Sequence, residues 1–390
     1  MELARRMERL GTETAFEVLA RARALEREGR HIIHLEIGEP DFDTPPTVTL
    51  AGIQALSEGA THYSPSAGID PLREAIAADQ STRKGISVSA PNVVVTPGGK
   101  PIIFYLMLAL VEEGDEIIYP NPGFPIYESM IDFLGGKRIP IGFTERQGRS
   151  FWDVDDAVNR MSCKTRLMII NSPSNPTGAI LTESDLERLA EAAIANDVVV
   201  LSDEIYSRIL YDGTFHSIAA LPGMAERTVI LDGFSKTYAM TGWRLGYGVF
   251  PPALVPHVER LMVNSVSCTA SFVQRAGLAA LQGPQDAVAA MVAEFRRRRD
   301  LFVAGLNAIP GIRCLEPPGA FYAFPNVSAL GLSSDALADR LLREYGLATL
   351  AGTAFGRAGE GYLRLSYANS LPNLEAALAR LAAAAATLRA

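Results

Sequence analysis

The chain has 390 residues, nearly half of them hydrophobic and about a fifth charged, with a net charge of −8. That length exceeds what one core usually supports, so a large domain plus a smaller one is expected, and the acidic balance offers no footing for nucleic acid or an anionic membrane. Three scattered cysteines, Cys163, Cys268 and Cys314, without C-x-x-C spacing argue against a disulfide framework or a zinc site and for reduced thiols in the cytoplasm.

The charged N-terminus lacks the apolar core of a signal peptide, and no run of eighteen apolar residues exists, so neither a leader nor a membrane span is expected. Residues 14–27 predict an amphipathic helix, Phe16, Leu19, Ala20 and Leu25 against Glu17, Arg21, Arg23 and Glu26. A short strand over 32–37, with His34 at a partly exposed position, runs into Gly38-Glu-Pro-Asp-Phe-Asp-Thr-Pro. Gly38 either turns the chain or brings bare backbone close to a ligand. The loop over 61–70 holds Tyr63, in isolation a packing aromatic with a satisfied hydroxyl.

A buried strand over 93–96, a Gly98-Gly99 turn and an apolar helix from Lys100 to residue 111 follow. Such a junction aims the N–H groups of Gly99 and Lys100 at whatever binds there, which favours phosphate, although many strand–helix junctions look alike. The strand over 115–119 leads to a proline-rich loop in which Phe124 either stacks on an aromatic ring or caps the core. Another apolar strand, 166–170, ends in Asn171-Ser-Pro-Ser-Asn-Pro-Thr-Gly, which holds Asn175 between turn formers. After a helix over 183–196, the strand over 198–201 delivers Asp203 and Tyr206 in Ser-Asp-Glu-Ile-Tyr. A carboxylate there needs a positive partner.

The stretch 230–249 is an apolar strand broken at Gly233, then Ser235 and Lys236, then a second apolar run after Arg244. Burial lowers a lysine's pKa, as a Schiff-base lysine requires, whereas a snorkelling lysine at a strand end would keep its charge. Arg244 is a fixed cation suited to phosphate. Strands alternating with helices, with polar residues gathered at strand carboxyl ends, describe an open α/β sheet whose ligand sits beyond those ends. Past residue 284 come a helix over 286–306, its arginines at 296–299 read as a solvated face, short strands near 319–325 and 361–367, and an alanine-rich helix. The expected division is a large domain, 45–284, and a smaller α+β domain made of 1–44 and 285–390. Arg364, alternating with Leu363 and Leu365, reads by itself as an exposed strand arginine.

Together, Asn175 in Asn-Pro-Thr-Gly, Asp203 and Tyr206, Lys236 in Ser-Lys, Arg244 in Gly-Trp-Arg-Leu-Gly and Arg364 resemble the class I/II aminotransferases, pyridoxal-phosphate enzymes of fold type I. The likeness runs in order over nearly the whole chain and looks most like the bacterial aspartate aminotransferase branch. It implies a large domain with a mostly parallel sheet flanked by helices, a smaller domain, and a homodimer with composite sites. Lys236 would then form the Schiff base with pyridoxal 5′-phosphate and carry the proton, and Asp203 would pair with the ring nitrogen. Tyr206 and Asn175 would bond the ring's 3-oxygen, and Phe124 would stack on the ring. The phosphate would fall to Arg244, Ser235 and the N–H groups of Gly99 and Lys100, with Tyr63 reaching over from the neighbouring subunit. Arg364, Asn175 and the Gly38 backbone would hold the substrate's α-carboxylate. One departure stands out: many relatives have a phosphate-binding serine where this chain has Gly233.

The resemblance implies ping-pong transfer of an amino group between an amino acid and a 2-oxo acid, with no metal. In aspartate-type relatives the lysine of Gly-Gly-Lys contacts a distal carboxylate, so aspartate or glutamate are the expected substrates. Lys100 pointing to solvent, or serving only the phosphate, is the alternative. Neutral or aromatic amino acids, or a C–S β-lyase built on the same apparatus, are the competing readings. A DNA-binding regulator is disfavoured, since it would need an additional helix-turn-helix domain.

Overall fold

The structure, a computed structural model, describes residues 2–389. Helix α1 (Thr14–Arg27) leads to strand β1 (Ile33–His34) and then to α2 (Pro46–Ser57) and α3 (Asp70–Lys84). Strand β2 (Val93–Thr96) and α4 (Lys100–Leu110) open a regular alternation, continued by β3 (Glu116–Pro120), α5 (Pro125–Leu134) and β4 (Lys137–Ile141). A hairpin, β5 (Phe143–Arg146) and β6 (Arg149–Trp152), and α6 (Val154–Arg160) precede β7 (Thr165–Asn171), α7 (Glu183–Ala195) and β8 (Val199–Asp203). Strands β9 (Thr228–Gly233) and β10 (Gly246–Val249) complete the main sheet, and α8 (Val255–Ser265), α9 (Ser271–Gln282) and α10 (Asp286–Asn307) follow. The chain ends with β11 (Tyr322–Ala323), α11 (Ser334–Tyr345), β12 (Leu347–Ala348), β13 (Leu350–Ala351), β14 (Leu363–Ser366) and α12 (Leu371–Arg389).

Seven strands form one sheet in the order β2-β10-β9-β8-β7-β3-β4. Only β10 runs against its neighbours; the pairs among β9, β8, β7, β3 and β4 are parallel. The carboxyl ends of six strands therefore share one edge. The strands read as near-continuous apolar runs because both faces are covered. Residues alternate between two cores with the period of two that a pleat imposes. Val94, Ile117, Tyr119, Leu167 and Ile169 meet α4, α5 and α8 on one face. Ile118, Met168 and Ile170 meet α6 and α7 on the other, beside Val93 and Val95 against α3 and α9.

The C-terminal elements build a three-stranded sheet, β11-β14-β13, and β12 pairs in parallel with β1. Ile33 and Leu35 share a core with Phe295, Phe302, Leu341, Leu365 and Leu381, so the N-terminal segment is packed into the C-terminal part.

Two expectations need correction. Helix α1 turns Ala22 inward, flanked by Val18 and Leu25, whereas Phe16 is 60% exposed. The arginines at 296–299 are not one solvated face: Arg298 and Arg299 are buried. An α-helix turns about 100° per residue, so four consecutive residues point around most of its circumference. Arg298 and Arg299 fall three and four residues after Phe295, on the side that packs into the core. Among the described residues no helix is long and apolar enough to cross a membrane.

Candidate active site

Five of the six strands ending at the common edge, all but β4, lead into a residue that the sequence marks out. After β2, Gly98 at φ +90° turns the chain so that α4 starts at Lys100 with Gly99 at its N-cap. After β3, Phe124 caps α5. Asn171 ends β7 and Asn175 lies beyond it, Asp203 ends β8 with Tyr206 after it, and Ser235 and Lys236 follow β9. Arg364 comes from β14, Tyr322 from β11, and Glu13, Phe16, Gly38 and Glu39 from the N-terminal segment. These residues and Arg244 line one cavity of about 500 Å³. Every residue expected from the sequence is there except Tyr63, which stands 89% exposed on its loop.

Lys236 Nζ donates to the Gly38 carbonyl at 2.6 Å. Burial, opposed by Glu39 and reinforced by Arg364 and Arg244, brings its pKa down to about 8, so a useful fraction is neutral amine near neutral pH. Asp203 is buried, accepting from the Tyr127 hydroxyl at 2.6 Å and the Ile205 N–H at 3.3 Å. Burial lifts its pKa to about 6, with those hydrogen bonds opposing and Asp232 and Glu204 adding repulsion. Tyr206 and Tyr322 share a hydroxyl–hydroxyl bond of 2.7 Å.

Arg364 is not an exposed strand arginine. It is buried, donates through Nη2 to the Glu36 carbonyl and lies 4.6 and 5.0 Å from the ring centres of Tyr322 and Phe355. Its Nε has no hydrogen-bond partner, and neither has Asn175 Oδ1, whose backbone N–H is held by Asn171 Oδ1 at 2.8 Å. Arg244 sits at φ +54° and donates to the Thr241 carbonyl at 2.8 Å. Non-glycine residues at positive φ cost on the order of 1 kcal/mol or more and cluster at functional sites.

Lys100 lines the same cavity with its side chain 41% exposed. Its ammonium is paired with the Glu13 carboxylate and lies 5.9 Å and 5.7 Å from the ring centres of Phe16 and Phe124. Gly233 pairs across the sheet with Gly246, and a Cβ there would stand 3.0 Å from the Gly246 Cα. The strands are therefore packed too closely at that point for a side chain to enter easily. Behind it, the enclosed Lys84 ammonium bridges Glu204 at 2.6 Å and Asp232 at 2.9 Å, and Asp232 Oδ1 accepts the Gly233 N–H at 2.7 Å.

Tyr127, Tyr322, Glu13 and Glu39 were not singled out from sequence. Tyr127 follows Phe124 by three residues on the first turn of α5, a spacing that puts both on one side. Tyr322 meets Tyr206 across 116 positions and Glu13 meets Lys100 across 87, and no local pattern encodes such pairings.

The donor set fits pyridoxal phosphate. A ring nitrogen needs a carboxylate, and Asp203 is a buried one without a cation beside it. A phosphate needs N–H groups and a fixed cation, which the start of α4 and Arg244 supply. A carbonyl cofactor needs an amine with a depressed pKa, and Lys236 is one. Among the described residues no cluster of His, Cys, Asp and Glu side chains could hold a metal ion.

Comparison with known proteins adds family relationships. The model for aminotransferase classes I and II matches residues 30–381. The chain is 40% identical over 354 residues to aromatic-amino-acid aminotransferase 2 of Thermococcus litoralis, covering 90% of each chain. It is 39% identical over 357 residues to an aspartate aminotransferase of Pyrococcus abyssi, covering 90% of this chain and 91% of that one. The solved structure of Thermus thermophilus aspartate aminotransferase with maleate superposes with a TM-score of 0.92 at 37% identity, over 98% of this chain and 100% of the other.

Proposed function

The chain belongs to the class I and II aminotransferases, and from that premise we propose that it uses pyridoxal phosphate held in the 500 Å³ cavity, with Lys236, Asp203 and Tyr206 as the catalytic residues. It moves an amino group between an amino acid and a 2-oxo acid. The observation that carries the assignment of residues is the convergence on one cavity of a lysine with a depressed pKa, a buried carboxylate without a cation, and two unpartnered buried polar atoms.

When bound, pyridoxal phosphate supplies an aldehyde that condenses with amines and a ring that withdraws electrons from the substrate's Cα. This chain's residues do the rest. Asp203 would hold the proton on the ring nitrogen, kept in place by the Tyr127 hydroxyl. Tyr206 and Asn175 would hydrogen-bond the ring oxygen, and Phe124 would cover one ring face. Arg244, Ser235 and the N–H groups of Gly99 and Lys100 would anchor the phosphate. Arg364, locked by Glu36 and two aromatic rings, would hold the α-carboxylate beside Gly38. Lys236 Nζ would take the Cα proton and return it, which suits an amine with a pKa near 8.

For the side chain, the dicarboxylic reading (aspartate or glutamate, with 2-oxoglutarate or oxaloacetate) is supported by Lys100 at the cavity wall. A second reading, neutral or aromatic side chains, is favoured by the Glu13 counterion on that lysine and by the apolar wall of Phe16, Ile37, Ile103 and Phe124. The proposal extends to two domains, 45–284 and 1–44 with 285–390, supported by two cores that lie wholly within 45–284 and by a third built mainly from the other segments, which Tyr206, Ile209 and Tyr211 join at the boundary. It also extends to a homodimer and to a cytoplasmic location, the latter supported by three free thiols.

The test has two parts. Borohydride reduction and peptide mapping should find the pyridoxyl label on Lys236, and Lys236→Ala should lose at least ~10²- to 10⁴-fold in turnover; a label on another lysine sinks the assignment. A panel of amino donors against 2-oxoglutarate, oxaloacetate and pyruvate, scored by kcat/KM, then ranks the side chains. Release of pyruvate and ammonia from an amino acid alone would reveal a lyase instead.

A further inference from the structure

Glu13 is the residue before the first turn of α1, and its carboxylate reaches across the cavity mouth to the Lys100 ammonium at the start of α4. The pair is partly shielded on the acid's side, with the Glu13 side chain 20% exposed and that of Lys100 41%. Three residues on, the Phe16 ring centre lies 5.9 Å from the same ammonium. One short segment thus places a counterion and an apolar surface over the cation that a distal carboxylate would use. Glu39 is a second acid lining the cavity, its carboxylate accepting from the Thr241 hydroxyl at 2.7 Å. With Arg244, Arg364, Asp203 and Lys236 given to the phosphate, the α-carboxylate and the cofactor, the charged lining groups left for a side chain are Lys100, Glu13 and Glu39.

We propose that Glu13 is a specificity-determining residue, a built-in counterion that Lys100 must give up or share before it can bind a dicarboxylic substrate. This rests on the reading that Lys100 faces the substrate side chain. A neutral or aromatic side chain leaves the Glu13–Lys100 pair whole and lies along Phe16 and Phe124. A dicarboxylic one breaks the pair and meets the repulsion of the displaced carboxylate. Glu13 therefore narrows the preference that an unpaired lysine would confer, so that one cavity serves both classes, as ping-pong exchange between unlike side chains requires.

The probes are succinate and 3-phenylpropionate, unreactive acids with and without a distal carboxylate, titrated calorimetrically into the holoenzyme. Exposed and partly exposed ion pairs are weak, so Glu13→Gln should tighten succinate by roughly 2- to 5-fold and move 3-phenylpropionate by less than 2-fold. The kcat/KM ratio of aspartate to phenylalanine should rise by a similar factor. Unchanged or weaker succinate binding, or an equal shift of both probes, overturns the proposal. Lys100→Ala separates the two layers. If it weakens succinate selectively while Glu13→Gln does nothing, the counterion role falls and the dicarboxylic reading stands. If Lys100→Ala leaves both probes alone, both fall together.

Discussion

At the scale of single residues, Asp203 is useful because it is uncomfortable. It ends β8 with no cation beside it, and burial raises its pKa from the ordinary 3.8 to about 6. An acid raised by folding binds more protons folded than unfolded between those two values. Stability therefore falls as pH climbs from about 4 to about 6, and the full loss persists above. The displacement corresponds to on the order of 3 kcal/mol at neutral pH. In protein stripped of cofactor, Asp203→Asn should accordingly raise the urea midpoint at pH 7.5, and the difference should vanish below pH 4. The same variant should lose ~10²-fold or more in turnover, since an amide cannot hold a ring proton by charge. A variant less stable than the parent at pH 7.5 would mean that the Tyr127 hydrogen bond outweighs the buried charge.

At the scale of elements, the site was legible wherever an apolar run ends abruptly in polar residues, because a parallel sheet puts those ends on one edge. Asp203, Lys236 and the Gly98-Gly99 turn were all visible in that way. What could not be read was who meets whom over long separations, as α10 shows. Arg298 donates to Asp41 at 2.6 Å and Glu294 at 3.0 Å, and its guanidinium lies 5.0 and 5.7 Å from the ring centres of Phe42 and Phe295. It therefore ties the loop carrying Gly38 to the C-terminal part, a contact spanning 257 positions. Among the described residues its neighbour Arg297 pairs only with Glu294, within its own helix, and its side chain is 65% exposed. Arg298→Ala should cost about 1–3 kcal/mol, since Asp41 is itself partly solvated, and should raise KM for amino acids by loosening the loop that presents Gly38. Arg297→Ala should leave the unfolding midpoint nearly where it was. Equal effects from the two would return the arginines to a single solvated face.

At the scale of the whole molecule, α2 is buried along Val48, Gly52 and Ala55 but turns Leu50, Ile53 and Leu56 outward, the first of them 64% exposed. An apolar row at such spacing on a helix that already has a packed side is the mark of a partner surface. Tyr63 follows on the same connection, almost fully exposed and away from its own subunit's cavity. A two-fold dimer would cover the row and give each cavity the other subunit's Tyr63, since such a contact must be reciprocal. Light scattering should then report a dimer, and a fully active monomer would end the idea. The sharper measurement pairs two impaired chains. Tyr63→Phe loses one hydroxyl to a charged phosphate, roughly 1.5–3 kcal/mol, so pyridoxal phosphate should bind about 10- to 150-fold more weakly. Lys236→Ala is inactive but keeps its tyrosine. In a heterodimer purified through two different tags, a tyrosine that crosses over restores one complete site. Activity at limiting cofactor should then recover to about half that of the parent dimer. A tyrosine serving its own subunit leaves only the weakened site, with activity no higher than half that of the Tyr63→Phe homodimer, and the composite site would have to be abandoned.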